Sequence, residues 1–174
     1  MNKKEKDILL EKLMVEYGNE LFRLTFTYVK DKELAKDLVQ NTFIKCYENL
    51  ETFRNDSKIK TWLYRIAINE CKDHFRSWQY KKVQVNNLLG VYKGLSVPSF
   101  ENKIIQKSNA LNIKEVVFSL PKKYSEIINL YYFSSLKIEE IADVTGLQVN
   151  TVKTRLRRAK QKLKNKVGEV EIYG

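Results

Sequence analysis

The sequence predicts an all-α fold, made of two small helical domains joined by a flexible linker, with a helix-turn-helix in the C-terminal domain. Only six Gly and two Pro interrupt 174 residues, and alternating strand patterns are scarce. Apolar residues recur at helical spacing on both sides of a central stretch that has no sustained period. The hydrophobic share of 43% is sufficient for packed cores and argues against global disorder.

Three helices are predicted in the N-terminal domain, residues 1–80. Residues 5–29 carry apolar side chains at helical spacing, and Asp31 is a plausible N-cap for a second helix that runs through Leu50. A polar turn follows at residues 53–57, and a third long helix is predicted from about Lys58 to Tyr80.

The third helix has two contrasting faces. Its predicted core stripe is Tyr64, Ala67, Ile68, Cys71, Phe75 and Trp78. Its opposite side, the polar face of the third helix, consists of Trp62, Arg65, Ile66, Asn69, Lys72, Asp73 and Arg76. An aromatic side chain among cations and an amide suits unstacked nucleic-acid bases. Packing of Trp62 against a neighbouring helix is an equally open interpretation.

The linker is predicted at residues 81–108 and the C-terminal domain at residues 109–174. Helical patterning stops before Pro121, resumes to Phe133, and resumes again at Ile138 in a short amphipathic helix that ends near Gly146. Asn150 is a predicted cap for the last helix. Helix, Gly-containing turn and helix together form the helix-turn-helix pattern.

The last helix is basic on one side and apolar on the other. Residues 151–166 hold eight Lys or Arg and no Asp or Glu, whereas a solvated surface helix normally includes Glu for pairs four residues apart. The predicted buried stripe is Val149, Val152, Leu156, Ala159 and Leu163. The opposite side, the outer face, is Asn150, Thr154, Arg157, Arg158 and Gln161, flanked by Lys153, Arg155, Lys160 and Lys162. Such donors suit DNA base edges, and the flanking cations suit phosphates.

The net charge of +11 is unevenly distributed. Residues 1–80 carry a net charge of +2, the linker +4, and residues 109–174 a net charge of +5. This excess indicates a nucleic acid or an acidic surface as partner. Charge retained for solubility is the alternative.

Composition argues against several functional classes. Cys46 and Cys71 stand apart without a CxxC, with only His74 as a nitrogen ligand, so two buried thiols are favoured over a metal site. Phosphate-binding loops, clustered metal-binding carboxylates and a recognisable catalytic set are missing from the sequence, so we expect no enzyme and no cofactor. The N-terminus lacks a signal-peptide pattern and no apolar run could span a bilayer, which predicts a cytosolic protein without direct membrane insertion.

Three segments resemble bacterial sigma factors of the extracytoplasmic-function group. FRNDSKIKTWLYRIAINECKDHFR resembles their promoter-melting segment, and DLVQNTFIKCYENLETF is similar to their D-x-V-Q-E-x-F helix. LPKKYSEIINLYYFSSLKIEEIADVTGLQVNTVKTRLRRAKQKL is similar to their C-terminal domain. The match covers both domains in the right order and separation.

The resemblance implies a protein that binds core RNA polymerase and promoter DNA, with an anti-sigma factor as a further partner. It implies that the linker threads toward the polymerase active site and RNA exit path. The implied polymerase-docking residues are Asp37, Gln40, Asn41, Phe43 and Ile44. The implied contacts to the −10 element are Arg54, Asn55, Asp56, Ser57, Lys58, Trp62, Asn69, Lys72 and Asp73. The implied contacts to the −35 element are Asn150, Thr151, Lys153, Thr154, Arg155, Arg157 and Arg158, with Thr151 and Arg155 on phosphates.

Four positions depart from the usual family pattern, and two rival functions compete with it. Asn41 replaces a usual Glu at one of the implied polymerase contacts; the others are Asn55 for Gly, Tyr124 for Arg and Asn150 for Gly. A stand-alone helix-turn-helix regulator would not explain the second helix or the aromatic third helix. An RNA-binding protein would explain the charge but not the last helix.

Overall fold

All regular secondary structure in the described residues is helical, which confirms the predicted fold class. The structure is a computed structural model that describes residues 2–53, 58–88 and 113–173, with side chains described up to residue 78 in the third helix and residue 167 in the last. The α-helices are α1 (Lys3–Val29), α2 (Lys32–Asn49), α3 (Ile59–Leu88), α4 (Ile113–Ser119), α5 (Lys122–Ile128), α6 (Ile138–Thr145) and α7 (Val149–Tyr173). None of the helices in these ranges is long and apolar enough to cross a membrane.

Capping residues mark the boundaries of the first two helices. Asn2 and Glu5 form a reciprocal capping box at the start of α1, and Lys30 ends that helix in a left-handed conformation, φ 56°. Asp31 accepts a hydrogen bond from the Leu34 backbone N–H, 2.8 Å, and so caps α2 as predicted. A short 3-10 turn, Leu50–Thr52, follows α2.

The third helix is longer than the sequence predicts. It continues to Leu88, so the first eight residues of the predicted linker extend α3 instead. The remaining linker residues, 89–108, lie outside the described residues. The predicted core stripe is confirmed from Tyr64 to Cys71, whose four members are completely buried. Trp78 is 51% exposed and was wrongly assigned to this core.

The C-terminal half confirms the helix-turn-helix and corrects one cap. Pro121 precedes α5, which continues into a π-helical turn, Asn129–Phe133. Gly146 has φ 73°, the left-handed conformation for which the sequence predicted a glycine. The prediction that Asn150 caps α7 is wrong, because the helix begins at Val149 and the Val152 N–H already donates to the Gln148 carbonyl at 3.0 Å.

The two halves pack against each other. Buried side chains from α1–α3 and from α4–α7 belong to one continuous apolar cluster. Polar contacts cross the same boundary: Tyr28 donates to Glu126, and the Asn129 amide donates to the Thr27 hydroxyl at 3.2 Å. Lys30 donates to the Phe118 carbonyl at 2.5 Å. The chain is therefore in a closed state, in which the two halves are packed together and α3 lies against α6.

Candidate nucleic-acid interface

The outer face of α7 is entirely exposed. Its inner stripe is held in the core by Val152 and Ala159, both fully buried, and by Leu156, which is 5% exposed. This packing fixes the rotation of the helix and directs five polar side chains, together with Lys153, to solvent. The exposed residues are Asn150, Lys153, Thr154, Arg157, Arg158 and Gln161. Arginine, asparagine and glutamine donors on one helical face match the hydrogen-bonding groups of the DNA major groove.

Two of the cations that flank the outer face of α7, Arg155 and Lys160, are less available for contact with DNA than the sequence suggests. The Lys160 ammonium lies 5.5 and 5.6 Å from the ring centroids of Tyr131 and Tyr132, which are contacts of the cation–π type. Arg155 is partly buried, whereas Arg157 and Arg158 are exposed.

Exposure is mixed on the polar face of α3. Trp62 is partly buried and its ring centroid lies 5.0 Å from that of Phe53, so its side chain packs within the N-terminal half. Its contact with an unpaired base stays a prediction. Asn69 and Asp73 are exposed, and Asp73 pairs with Arg76 at 3.4 Å. Four predicted −10 contacts, residues 54–57, lie outside the described residues.

Helix α6 makes three polar contacts, two with this face and one with Lys58, the residue that precedes α3. The Lys58 ammonium lies 2.9 Å from a Glu140 carboxylate oxygen. Arg65 forms an ion pair with Asp143. Lys72 donates to the Thr145 carbonyl at 2.9 Å. The hydrogen bond from the Lys137 N–H and the Lys58 contact lower the pKa of Glu140, so this carboxylate stays charged.

One side of α2 forms an exposed stripe of four residues. Positions 37, 40, 41 and 44 share a helical face, and Ile44 is 56% exposed although it is apolar. Phe43 does not belong to this stripe, because it is 5% exposed and packs in the core. The α2 stripe is Asp37, Gln40, Asn41 and Ile44.

Two residues of the α3–α6 contact, Glu140 and Asp143, were given no role by the sequence, and Arg65 was placed on the polar face of α3 without a DNA contact. Arg65 lies seven residues from both Lys58 and Lys72, and seven residues are nearly two helical turns, so this spacing was a readable signal. The carboxylates of Glu140 and Asp143 had no such signal, because nothing local in the sequence indicates which helix they meet.

The buried pair of Tyr28 and Glu126 joins α1 to α5. Tyr28 is 5% exposed and Glu126 is 6% exposed. Burial raises the pKa of Glu126, although the hydrogen bond from Tyr28 and the charges of Lys122, Lys72 and Arg155 lower it. Burial, with the charge of Glu126, raises the pKa of Tyr28. The Lys122 ammonium lies 4.3 Å from the Tyr28 ring centroid, so a cation caps the pair.

This pair predicts a specific dependence of stability on pH. A carboxyl group with a raised pKa in the folded state binds its proton more tightly there than in the unfolded state. Its contribution to stability is therefore present at low pH and is lost as pH rises through the folded pKa. Glu126→Gln, which keeps an acceptor for Tyr28, should raise the free energy of unfolding at pH 8 by roughly 1 kcal/mol or more and flatten its pH dependence above pH 5.

Urea unfolding between pH 5 and pH 8 measures this effect. Glu139→Gln is the matched control, because Glu139 is exposed on α6 and should leave the pH profile unchanged. A Glu126→Gln protein that is less stable than the wild type at pH 8 would show that the carboxylate is a net stabilising group.

Both thiols are buried, as the sequence predicts. Cys46 and Cys71 are free and completely buried in the core. Burial raises the pKa of Cys46 to about 11 and that of Cys71 to about 12. Since the thiolate is the reactive form, both side chains behave as small apolar core groups.

Comparison with known families defines the class of the protein. The family model of sigma-70 region 2 matches residues 13–79. These residues comprise most of α1, all of α2 and the first two thirds of α3. The model of sigma-70 region 4 matches residues 111–163, which include the helix-turn-helix. The fold and its exposed basic helix therefore define a two-region sigma protein.

Relatives define the group within that class. The chain is 33% identical over 151 residues to the RNA polymerase sigma factor SigV of Bacillus subtilis, covering 87% of this chain and 86% of that protein. It is 33% identical over 164 residues to the ECF RNA polymerase sigma-E factor of Escherichia coli K12, covering 89% and 84%. The chain belongs to the extracytoplasmic-function sigma factors, and it directs promoter-specific initiation of transcription with core RNA polymerase.

Solved structures share the fold. The sigma factor RpoE of Bartonella quintana, in complex with the anti-sigma factor NepR, matches with a TM-score of 0.67 and 24% identity, covering 92% of this chain and 96% of that one. CnrH, in complex with the cytosolic domain of CnrY, matches with a TM-score of 0.61 and 21% identity, covering 92% and 88%.

Proposed function

We propose that three surfaces of this sigma factor have separate binding roles. The α2 stripe binds core polymerase. The polar face of α3, with residues 54–57, captures the unpaired strand of the −10 element. The outer face of α7, with Lys153, reads the −35 element, while Thr151 and Arg155 bind phosphates. The first two surfaces belong to the N-terminal domain, which α3 extends to Leu88, and the third belongs to the C-terminal domain, residues 109–174.

The observation that carries the docking assignment is the exposure of Ile44. An apolar side chain that is 56% exposed, within a stripe of carboxylate and amide groups, has the composition of an interface core with a polar rim. Asn41 lies within this stripe in place of the usual Glu, so a neutral amide there meets the polymerase surface.

The chain itself contributes recognition and not catalysis. Sequence-specific donors on α7 position the complex on duplex DNA, and stacking of exposed bases on α3 offsets the free energy of unpairing. The polymerase supplies the catalytic chemistry. We place the protein in the bacterial cytoplasm, where polymerase acts, and an anti-sigma factor is its proposed regulatory partner.

The docking assignment predicts the effect of a double substitution on α2. Gln40→Ala with Ile44→Ala should weaken binding to core polymerase by about 30-fold, which corresponds to the ~2 kcal/mol lost at an interface hot spot. Both side chains are exposed, so helicity and thermal stability should remain close to those of the wild type. Surface-immobilised core polymerase and purified full-length chain measure the affinity directly.

The matched control is Glu11→Ala with Val15→Ala on α1. This pair also combines a polar and an apolar exposed residue four positions apart, and Val15 is 81% exposed. Equal affinities for both double variants would exclude the α2 stripe as the principal docking surface.

A further inference from the structure

The sequence of α7 repeats its pattern after seven residues. Residues 152–158 read VKTRLRR and residues 159–165 read AKQKLKN, so an apolar residue, a cation, an uncharged polar residue, a cation, a leucine and a cation follow in the same order twice. Because seven residues are nearly two helical turns, each position recurs on nearly the same side of the helix, about 10.5 Å further along the axis. Gln161 therefore corresponds to Thr154, and Asn165 to Arg158.

Packing holds this second heptad in the same rotation as the first. Ala159 is completely buried, as Val152 is, and Leu163 is partly buried and packs against the same core. Gln161 and Asn165 are exposed. The side of α7 that carries the outer face therefore continues beyond Arg158 as far as Asn165.

The lysines on either side of Gln161 lie against tyrosine rings. The Lys160 ammonium contacts two rings, as described above, and the Lys162 ammonium lies 5.8 Å from the ring centroid of Tyr124. Residues 160 and 162 are directed about 100° to either side of residue 161, so these contacts hold both ammonium groups along the flanks. The side chain that faces outward at this point is thus an amide, which suits base edges, and not a cation, which would bind any phosphate.

Asn165 orients the amide of Gln161. The Gln161 Nε2 donates a hydrogen bond to the Asn165 Oδ1 at 2.9 Å. A glutamine amide has two N–H donors and one oxygen acceptor, so one N–H and the Oε1 of Gln161 remain for another partner. In the major groove, adenine presents the N7 acceptor beside the N6 donor. The remaining groups of Gln161 match this edge and can form both hydrogen bonds at once.

We propose that Gln161, oriented by Asn165, reads an adenine in the base pair next to the one that Arg158 reads, on the side away from Thr154. This inference rests on the proposed role of the outer face of α7. Gln161 lies three residues beyond Arg158, or about 4.5 Å along the axis, which is close to the rise of about 3.4 Å between base pairs. Gln161 contacts the base itself, whereas Asn165 is a positioning residue.

The test is selection by holoenzyme from promoters randomised across the −35 element and its flanks. The wild type should select adenine beside the base whose preference depends on Arg158. Gln161→Ala should reduce this adenine preference about fivefold or more, because a bidentate pair is lost. Gln161→Glu should change the selected base to cytosine, since a carboxylate accepts from the cytosine N4 donor. A wild type without the adenine preference, or a Gln161→Ala variant that retains it, would contradict the reading role.

Two substitutions of Asn165 test its positioning role. Asn165→Ala removes the acceptor for Gln161 and should weaken the adenine preference about twofold, the scale of one amide pair on a helix surface. Asn165→Asp keeps an acceptor, so it should retain the preference while its added negative charge lowers affinity evenly across sequences. The positioning role is wrong if the two variants show the same adenine preference. Asn19→Ala is the matched control, because it removes an exposed amide from α1 and should leave the selected sequence unchanged.

The same selection separates this inference from the proposed function. If Arg158→Ala changes the base selected at its own position but the Gln161 variants select the same sequences as the wild type, only the adenine contact fails. If neither Arg158→Ala nor Gln161→Ala changes the selected sequence, the outer face does not read bases, and the proposed role of α7 is wrong as well.

Discussion

Arg158→Ala should change the −35 sequence that the holoenzyme selects. Arg158 is exposed on the outer face of α7, one turn beyond Thr154, and an arginine in that position can form a bidentate pair with a guanine. Loss of such a pair costs ~1–3 kcal/mol, or about 5- to 150-fold in affinity for the preferred base, and relaxes the preference at one promoter position. Selection from a randomised −35 library with holoenzyme, at two salt concentrations, measures both effects.

The control for Arg158 is Lys164→Ala, further along the same helix. Lys164 is exposed and lies about 9 Å beyond Arg158 along the axis. A cation that binds only phosphate lowers affinity evenly across sequences and reduces the salt slope by roughly one unit. Arg155 is less suitable as this control, since it is partly buried. Identical selected sequences from wild type and Arg158→Ala would leave the helix as a phosphate anchor only.

Helical periodicity predicted which faces are apolar, and the structure confirms the middle part of the predicted stripe in α7 and the first part in α3. In α7, the predicted stripe is buried at Val152, Leu156 and Ala159. In α3, the same arithmetic placed Trp78 in the core, but that residue is 51% exposed. Periodicity predicts the direction in which a side chain points. Burial also requires another element of the fold to pack against the helix at that residue.

For the proposed docking residues, helical geometry and the family resemblance predict different exposed residues. The resemblance to sigma factors placed Phe43 with Gln40 and Ile44 on the polymerase surface. At 100° per residue, Ile44 lies close to the direction of Asp37, whereas Phe43 is directed well away from both. The structure accordingly buries Phe43 and exposes Ile44. The family motif identifies which helix binds the partner. The angular position of each residue around that helix determines whether its side chain is exposed to the partner.

The packing of the N-terminal half against the C-terminal half could not be predicted from the sequence. Tyr28 and Glu126 are 98 residues apart, and Arg65 and Asp143 are 78 residues apart. Neither pair leaves a local pattern, because each residue satisfies the requirements of its own helix. Contacts between distant elements depend on which surfaces complement each other in three dimensions, and one sequence does not encode that in its spacing.

Trp62→Ala should impair open-complex formation more than initial closed binding. In the closed chain the Trp62 ring packs beside Phe53, with centroids 5.0 Å apart, and α6 covers the same side of α3 through the pairs of Lys58 and Lys72. An indole beside the exposed Asn69 offers a surface on which an unpaired base can stack. One stacked base contributes ~1–3 kcal/mol, so the open fraction should fall by about 5- to 150-fold, with a smaller loss for Asn69→Ala.

Permanganate footprinting beside a gel shift on one promoter separates melting from closed binding for these variants. The matched control is Trp78→Ala on the same helix, since this tryptophan is also large and is 51% exposed, but it lies on the opposite side from Asn69. Thermal unfolding checks that Trp62→Ala retains its fold despite the lost contact with Phe53. A pre-melted template removes the cost of unpairing, so it should restore activity to Trp62→Ala and Asn69→Ala. If it restores neither, these residues act before strand separation, and the role of α3 is to bind duplex DNA or polymerase.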